Sequence, residues 1–120
     1  MRPAEAHELA ADCVFVDVRE SYEYDAGHIH DAVHMSIGEI MARAGELPRD
    51  RPIVVTCQIG QRSALVAEHL RGLGLIAHNL EGGLEAWVAL GLLLTASEDA
   101  VGRVVDGWAR DLSGRRLDGN

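Results

Sequence analysis

The sequence predicts an α/β fold built on a mainly parallel β-sheet. Its 120 residues are the length of one ordinary domain, and 48% of them are hydrophobic, which is enough for a core. Short β-branched runs alternate along the chain with stretches of helical periodicity. This alternation is typical of a parallel sheet, because each helix carries the chain back to begin the next strand in the same direction.

Four runs are predicted to be strands because they are short, apolar and rich in β-branched residues. The first and third are apolar almost throughout, which indicates strands that are buried on both faces. The runs are CVFVDV (13–18), VHM (33–35), PIVVT (52–56) and IAHNL (76–80).

Five helices are predicted from caps, glycine stops and apolar residues at helical spacing. Ser36 and Glu39, three residues apart, form a capping-box pattern. Glycine following an apolar periodic stretch is a common helix stop. The predicted helices are Pro3 to about Ala11, a short helix within 20–32 that stops at Gly27, Ser36 to about Ala44, 63–71, and 84–90 closed by Gly91.

The end of the chain differs from the rest, so the predicted organisation is a domain at 1–94 followed by a helical extension and frayed tail at 95–120. Ser97 is a suitable N-cap for the predicted amphipathic helix. This helix either packs on its own domain or forms a dimer or partner contact. Its apolar positions are Val101, Val104, Val105, Trp108 and Leu112.

Charge and cysteine content exclude several classes of protein. The net charge of −8 argues against nucleic acid or an anionic membrane as a general partner. Cys13 and Cys57 are too few for a disulfide framework, and we find neither a secretory leader nor an apolar run of membrane-spanning length. We therefore expect a cytoplasmic protein with free thiols.

Cys57 lies where a parallel sheet places its ligands, at the end of a strand and before a helix. The N–H groups at a helix N-terminus favour negative charge. Gly60 allows the loop dihedral angles that turn N–H groups inward, and Arg62 adds positive charge. These features favour a reactive thiolate beside a cradle for an anion. An ordinary buried cysteine beside a surface arginine is the alternative.

Taken together with CQIGQRS (57–63), the segments DVRESYEYDAGHI (17–29) and NLEGGLEAW (79–87) resemble rhodanese-type sulfurtransferases. The loop CQIGQRS (57–63) is similar to the active-site loop of that family, in which four residues separate the cysteine from an arginine and a serine. Upstream, DVRESYEYDAGHI (17–29) is similar to the Asp-x-Arg, Glu-Tyr/Phe and Gly-His-Ile pattern. Downstream, NLEGGLEAW (79–87) is similar to the family's Asn-Leu-x-Gly-Gly-x-x-x-Trp segment. In this order, the motifs extend the resemblance over about residues 5 to 94.

The resemblance implies a five-stranded parallel sheet with helices on both faces, and a sulfur-transfer mechanism. Cys57 would attack a sulfane donor, become a persulfide and pass the sulfur to a thiol, a protein cysteine or cyanide, without cofactor or metal. Arg62 would contact the donor anion or brace the loop, and Asp17, Arg19 and His28 look structural. The substrate-binding residues it implies are Gln58, Ile59, Gly60, Gln61, Arg62 and Ser63.

The sequence also departs from the family pattern. His30 and Asp31 stand where Pro-Gly is common, and the variable loop positions are uncharged. Of the donors thiosulfate, persulfide and polysulfide, thiosulfate is therefore not expected to be the best, and a persulfide or polysulfide remains open. His28, His30 and His34 lack the supporting ligand spacing of a metal site, and Cys13 is expected in the core.

Three alternative functions remain open at this point: a persulfide carrier for a partner protein, a non-catalytic rhodanese-like interaction module, and a cysteine phosphatase or arsenate reductase. The last group has His-Cys and five residues before the arginine. Here Thr56 precedes Cys57 and four residues intervene.

Overall fold

Four parallel strands form the sheet in the computed structural model, which describes residues 1–96 and 102–105. All four strands predicted from the sequence are confirmed: β1 Val14–Asp17, β2 Val33–His34, β3 Ile53–Thr56 and β4 Ala77–Asn79. Their spatial order is β2-β1-β3-β4. The central strands β1 and β3 pair along their whole length, from Val14 opposite Ile53 to Asp17 opposite Thr56.

The prediction of a fifth strand is wrong within the described residues. The closest feature to one is a single antiparallel bridge, in which the N–H groups of His28 and Thr95 each donate to the other's carbonyl at 2.9 and 2.8 Å. The bridge cannot extend into a ladder around His28, because a helix ends just before it. Just after it, the chain turns through a hydrogen bond from the Ala32 N–H to the Ile29 carbonyl.

The five helices predicted before residue 95 are all confirmed. Ser36 and Glu39 form the predicted cap, with the Ser36 N–H donating to the Glu39 carboxylate at 3.0 Å. One 3-10 turn at Ala44–Glu46 was not predicted. Within the described residues, no helix is long and apolar enough to cross a membrane. The helices are α1 Pro3–Glu8, α2 Ser21–Ala26, α3 Ile37–Arg43, α4 Gln61–Gly72 and α5 Gly83–Ala89.

Helices pack on both faces of the sheet, as predicted, because successive strand residues point to opposite sides. One face combines residues such as Val16 and Val55 with Ile40 of α3 and Val66 and Leu70 of α4. The opposite face packs against α1 and α5, and its core includes Ala6, Phe15, Val54, Leu84 and Trp87. The sheet is therefore buried on both sides, and its strand ends are left to carry polar groups.

The predicted C-terminal helix is wrong over residues 102–105, which are not helical. The Gly102 and Arg103 N–H groups instead donate to the carbonyls of Leu94 and Ala26, both at 2.9 Å, and Val104 packs against the core on the α1 and α5 side. These tertiary bonds replace the local ones that a helix would form. Val101, Trp108 and Leu112 of the predicted stripe lie outside the described residues.

Candidate active site

Cys57 follows the last residue of β3 and opens the loop that leads into α4, as predicted. Gly60 caps that helix with φ +94°, a left-handed conformation that suits glycine. A Cβ at Gly60 would also lie only 3.2 Å from the Gly82 nitrogen. Cys57 itself is 0% exposed. A reactant must therefore displace part of the surrounding structure to reach its sulfur.

Polar groups of the loop converge on the sulfur of Cys57. The Gly60 and Ser63 N–H groups donate to Sγ at 3.2 and 3.4 Å, and the Ser63 hydroxyl oxygen lies 3.1 Å from it. N–H groups at a helix N-terminus stabilise negative charge, and more strongly where water is excluded. The arrangement can thus hold a thiolate or a sulfur-based anion.

The N-terminus of α5 supports the loop by donating hydrogen bonds to its backbone carbonyls. The Leu84 and Glu85 N–H groups donate to the carbonyls of Cys57 and Gln58 at 2.9 and 3.0 Å, and the Gln58 side-chain amide donates to the Glu85 carboxylate at 2.8 Å. Gly83, at φ +65°, allows this approach, since a Cβ there would collide with both loop carbonyls. The downstream motif therefore supports the loop, a role that the sequence analysis did not assign to Glu85.

Arg62 points away from the surface and forms a buried ion pair with Glu23 of α2. Its two terminal nitrogens donate to the two carboxylate oxygens, both at 2.8 Å. Burial alone would lower the pKa of Arg62, but hydrogen bonding to Glu23 and the charges of Glu23, Cys57 and Asp17 outweigh it and raise that pKa. Of the two roles left open for Arg62, this geometry is that of a loop brace.

Glu23 was not identified individually by the sequence analysis, although it lies within the upstream motif. An acidic residue in the first turn of a short helix is usually explained by the helix dipole. The signal that was available is that Glu23, followed by Tyr24, fits the Glu-Tyr/Phe element of that motif. Its 0% exposure is what reveals its role.

The rest of the upstream motif is structural in this geometry, as expected. Arg19 donates to Asp17 from Nε and Nη2 at 2.9 and 2.8 Å, and Nη2 also reaches the Gly27 carbonyl. His28 lies against the ring of Tyr24, with centroids 3.8 Å apart, and its Nδ1 is 2.7 Å from the Tyr24 carbonyl. These contacts hold α2, and with it Glu23, against the end of the sheet.

The predicted substrate-binding residues all surround Cys57, but their side chains divide into two groups. Gln58, Arg62 and Ser63 are buried with Gly60, whereas Ile59 is half-buried and Gln61 is exposed. Only uncharged loop side chains therefore reach the surface. A ligand at this loop would be met mainly by backbone N–H groups and by these two neutral residues.

The three histidines of residues 28–34 do not come together as ligands. His34 Nε2 lies 2.7 Å from the Arg19 carbonyl, His28 is engaged with Tyr24, and His30 is exposed. In the part of the chain that the structure describes, no three His, Cys, Asp or Glu residues are grouped so that they could hold a metal ion.

Cys13 lies just before β1, at the opposite end of the sheet from Cys57. It is buried on the core face that packs against α1 and α5, where the sequence analysis placed it. Burial, reinforced by the charge of Asp12 and opposed by Arg51, raises the pKa of its thiol. Its surroundings therefore favour an unreactive protonated thiol.

Comparison with known proteins gives one family match. The model of the family described as "Rhodanese-like domain" matches residues 2–90. The match includes all three motifs, both buried ion pairs and every helix and strand of the described structure.

Relatives support the same match. The chain is 37% identical over 89 residues to a sulfurtransferase of Allochromatium vinosum, covering 72% of this chain and 82% of that protein. It is 38% identical over 85 residues to a tRNA sulfurtransferase of Desulfurococcus amylolyticus, but spans only 17% of that longer protein. The solved structure of a rhodanese-related protein from Thermoplasma volcanium matches with a TM-score of 0.76 at 32% identity, covering 79% of this chain and 95% of that one.

Proposed function

Because the chain belongs to the rhodanese-like domain family, we propose that it is a sulfurtransferase that carries sulfur on Cys57 as a persulfide. The observation that carries this proposal is the convergence of the Gly60 and Ser63 N–H groups on the Cys57 sulfur. A thiolate and a persulfide are both anions, so the same donors suit the attacking nucleophile and the loaded intermediate.

In the first half-reaction, the Cys57 thiolate attacks the outer sulfur of the donor. With a persulfide donor R–S–S⁻, the bond between Cys57 and the outer sulfur forms, the donor's S–S bond breaks and R–S⁻ leaves with the electron pair. With thiosulfate, sulfite leaves instead. The loaded state is Cys57–S–S⁻, and its charge stays near the loop N–H groups.

In the second half-reaction, an acceptor thiolate or cyanide attacks the outer sulfur of the Cys57 persulfide. The acceptor gains the sulfur, the S–S bond breaks and the Cys57 thiolate is regenerated. Because the donor product leaves before the acceptor reacts, the kinetics are ping-pong. We propose that a small thiol or a protein cysteine is the cellular acceptor.

The donor we propose is a persulfide or polysulfide rather than thiosulfate. Ile59 and Gln61, the loop side chains at the surface, carry no charge, and Glu23 balances the charge of Arg62. A doubly charged anion such as thiosulfate needs more compensation from cations than a singly charged persulfide does. The net charge of −8 adds to this preference.

The test is intact-protein mass spectrometry after incubation with polysulfide and, separately, with thiosulfate. We expect the wild type to gain one sulfur from polysulfide and to lose it when a thiol is added. Cys57→Ala should gain none, and Cys13→Ala is the matched control that should load like the wild type. Failure of the wild type to load from either donor would overturn the proposal.

A persulfide carrier is a second candidate, and the burial of the sulfur favours it. A sulfur that is 0% exposed is shielded from small nucleophiles in solution, so a docking partner could be needed to release it. In that case, the persulfide on Cys57 would form and persist in cyanide. Rapid formation of thiocyanate at each turnover would exclude the carrier.

A further inference from the structure

We infer that Asn79 is a positioning residue that directs the proton between Ser63 and Cys57. Asn79 is the last residue of β4, and its side-chain oxygen accepts a hydrogen bond from the Ser63 hydroxyl at 2.5 Å. The same hydroxyl oxygen lies 3.1 Å from the Cys57 sulfur. The three side chains thus form a short chain that ends on the proposed nucleophile.

The orientation of the Asn79 amide follows from its second contact. Its Nδ2 donates to the Gly60 carbonyl at 3.2 Å. If the amide were rotated by half a turn, its oxygen would face that carbonyl oxygen and its nitrogen would face Ser63. A carbonyl only accepts hydrogen bonds, so the Gly60 carbonyl selects the orientation in which Oδ1 faces Ser63.

This orientation determines where the protons of Ser63 and Cys57 lie. A serine hydroxyl has one proton to donate, and here Asn79 accepts it. The Ser63 oxygen then presents a lone pair to the sulfur, and the contact at 3.1 Å is a hydrogen bond only if Cys57 is the donor. This hydrogen-bond chain from Asn79 through Ser63 to Cys57 therefore stabilises Cys57 as a thiol.

Forming the thiolate requires the Ser63 proton to change partners. Once Cys57 loses its proton, a lone pair of Ser63 would face a negative sulfur, which is unfavourable in a buried site. Turning the hydroxyl toward the sulfur removes this repulsion but breaks the bond to Asn79. Asn79 therefore opposes the thiolate, while the Gly60 and Ser63 N–H groups favour it.

The charged groups around the loop have partners other than the Asn79 side chain. The N-terminal ammonium of Met1 donates to the Asn79 backbone carbonyl at 2.8 Å and pairs with Glu81. Glu23 of α2 binds Arg62, Asp17 of β1 binds Arg19, and Glu85 of α5 accepts from Gln58. An uncharged replacement of Asn79 can thus act on Cys57 through two side-chain contacts, the Ser63 hydroxyl and the Gly60 carbonyl, and variants of Ser63 separate the two.

The consequence for catalysis rests on the proposed function. A donor that enters the loop with its anionic group toward Ser63 would draw the hydroxyl proton away from Asn79, while Ser63 keeps that proton. Cys57 would then be free to ionise by releasing its own proton to water. The resting enzyme would then keep its sulfur protonated until a donor is bound.

The experiment measures the rate of Cys57 alkylation by iodoacetamide against pH, in a Cys13→Ala background so that only Cys57 reacts. We expect Asn79→Ala to shift the profile to lower pH by about one unit, a tenfold gain in thiolate on the acid side. Asn79→Asp keeps the acceptor and adds negative charge, so it should shift the profile to higher pH. A purely structural role would change the rate at every pH without moving the midpoint.

The decisive control repeats Asn79→Ala in Ser63→Ala and in Ser63→Thr. The shift should disappear without the hydroxyl and remain with threonine. An equal pH shift with Ser63, with Ser63→Ala and with Ser63→Thr, or no shift in any of the three, would overturn the role of Asn79. Circular dichroism checks that each variant is folded, and Asn79→Leu, which removes both polar atoms without adding charge, serves if the alanine variant is not. Because alkylation needs no sulfur donor, this result is independent of whether the protein loads sulfur.

Discussion

The two ends of the sheet each contain a buried cysteine, but they surround it with different groups. At the carboxyl end, Cys57 lies among backbone N–H groups, the Ser63 hydroxyl and a buried ion pair. At the amino end, Cys13 borders a cavity of about 760 Å³ whose lining is mainly apolar and includes Phe15 and Trp87. The same side chain is thus placed in two opposite environments within one domain.

The comparison teaches that burial alone does not decide the chemistry of a thiol. Both sulfurs are removed from water, which by itself disfavours the thiolate. At Cys57, donors compensate for the lost water, whereas at Cys13 the pKa is raised by burial and by Asp12. Four predictions sharpen or break this contrast, in decreasing order of expected effect.

The largest effect is expected from Glu23→Ala, which leaves the Arg62 guanidinium buried beside an apolar side chain. Breaking one half of a buried pair typically costs about 3–5 kcal/mol. Urea unfolding measures the loss, and Glu46→Ala, which breaks the exposed contact with Arg43, is the matched control. A loss no larger than in the control would show that the pair does not brace the loop.

The next effect concerns the amino end alone. Phe15→Ala should destabilise the protein by about 3 kcal/mol, because it deletes a buried ring that packs edge-on against Trp87 at 5.7 Å. The pH profile of Cys57 alkylation should not move, since the two sites are at opposite ends of the sheet. If the pH profile of Cys57 alkylation also shifts in Phe15→Ala, the two ends of the sheet are coupled and cannot be treated as independent environments.

Helix α5 reaches both ends of the sheet, so the glycines at its start and just after its end provide a paired test. Gly83 and Gly91 both have positive φ, and an alanine in that conformation costs about 1–2 kcal/mol. At Gly83 the added methyl would also strike the carbonyls of Cys57 and Gln58, whereas at Gly91 it meets open space.

We therefore expect Gly83→Ala to cost at least about 1 kcal/mol more than Gly91→Ala, because the collision adds to a shared backbone strain. Gly83→Ala should also change the rate of Cys57 alkylation, and Gly91→Ala should not. If the two variants lost the same free energy of unfolding in urea, α5 would accommodate the methyl group at Gly83 by shifting away from the loop, and the predicted support of the loop by α5 would be wrong.

The smallest effect is the pH dependence that Cys13 contributes to stability. Its pKa is raised in the folded protein, so above about pH 8.5 the unfolded chain loses this proton while the folded protein keeps it. The contribution of Cys13 to stability is therefore present below that pH and decreases as pH rises. Cys13→Ala should flatten the alkaline fall in unfolding free energy, and an unchanged slope would contradict the shift.

Much of the fold could be predicted because it depends on neighbours within a few residues. The alternation of apolar runs identified all four strands, and local caps and glycines identified all five helices. The Ser36 cap is formed with a residue only three positions away. The fifth strand was predicted from the resemblance alone. Among the described residues, its place is taken by the single bridge between His28 and Thr95.

The place of Cys57 at a strand end before a helix was also predictable, together with the loop residues around it. The direction of the Arg62 side chain was not, because the local sequence allows it to face a ligand or the interior. Its partner Glu23 is 39 positions away. The C-terminal stripe failed at 102–105 for a related reason, since Leu94 and Ala26 offered tertiary partners to its N–H groups.

The sequence by itself therefore determined the order of strands and helices and the position of the proposed nucleophile, since periodicity, caps and turns are local properties. Only the tertiary structure decided that Glu23 neutralises Arg62, that α5 supports the loop from behind and that Asn79 reaches Ser63. The physical reason is that these contacts join distant segments. Their strength depends on the exclusion of water, which occurs only when the whole sheet is covered on both faces.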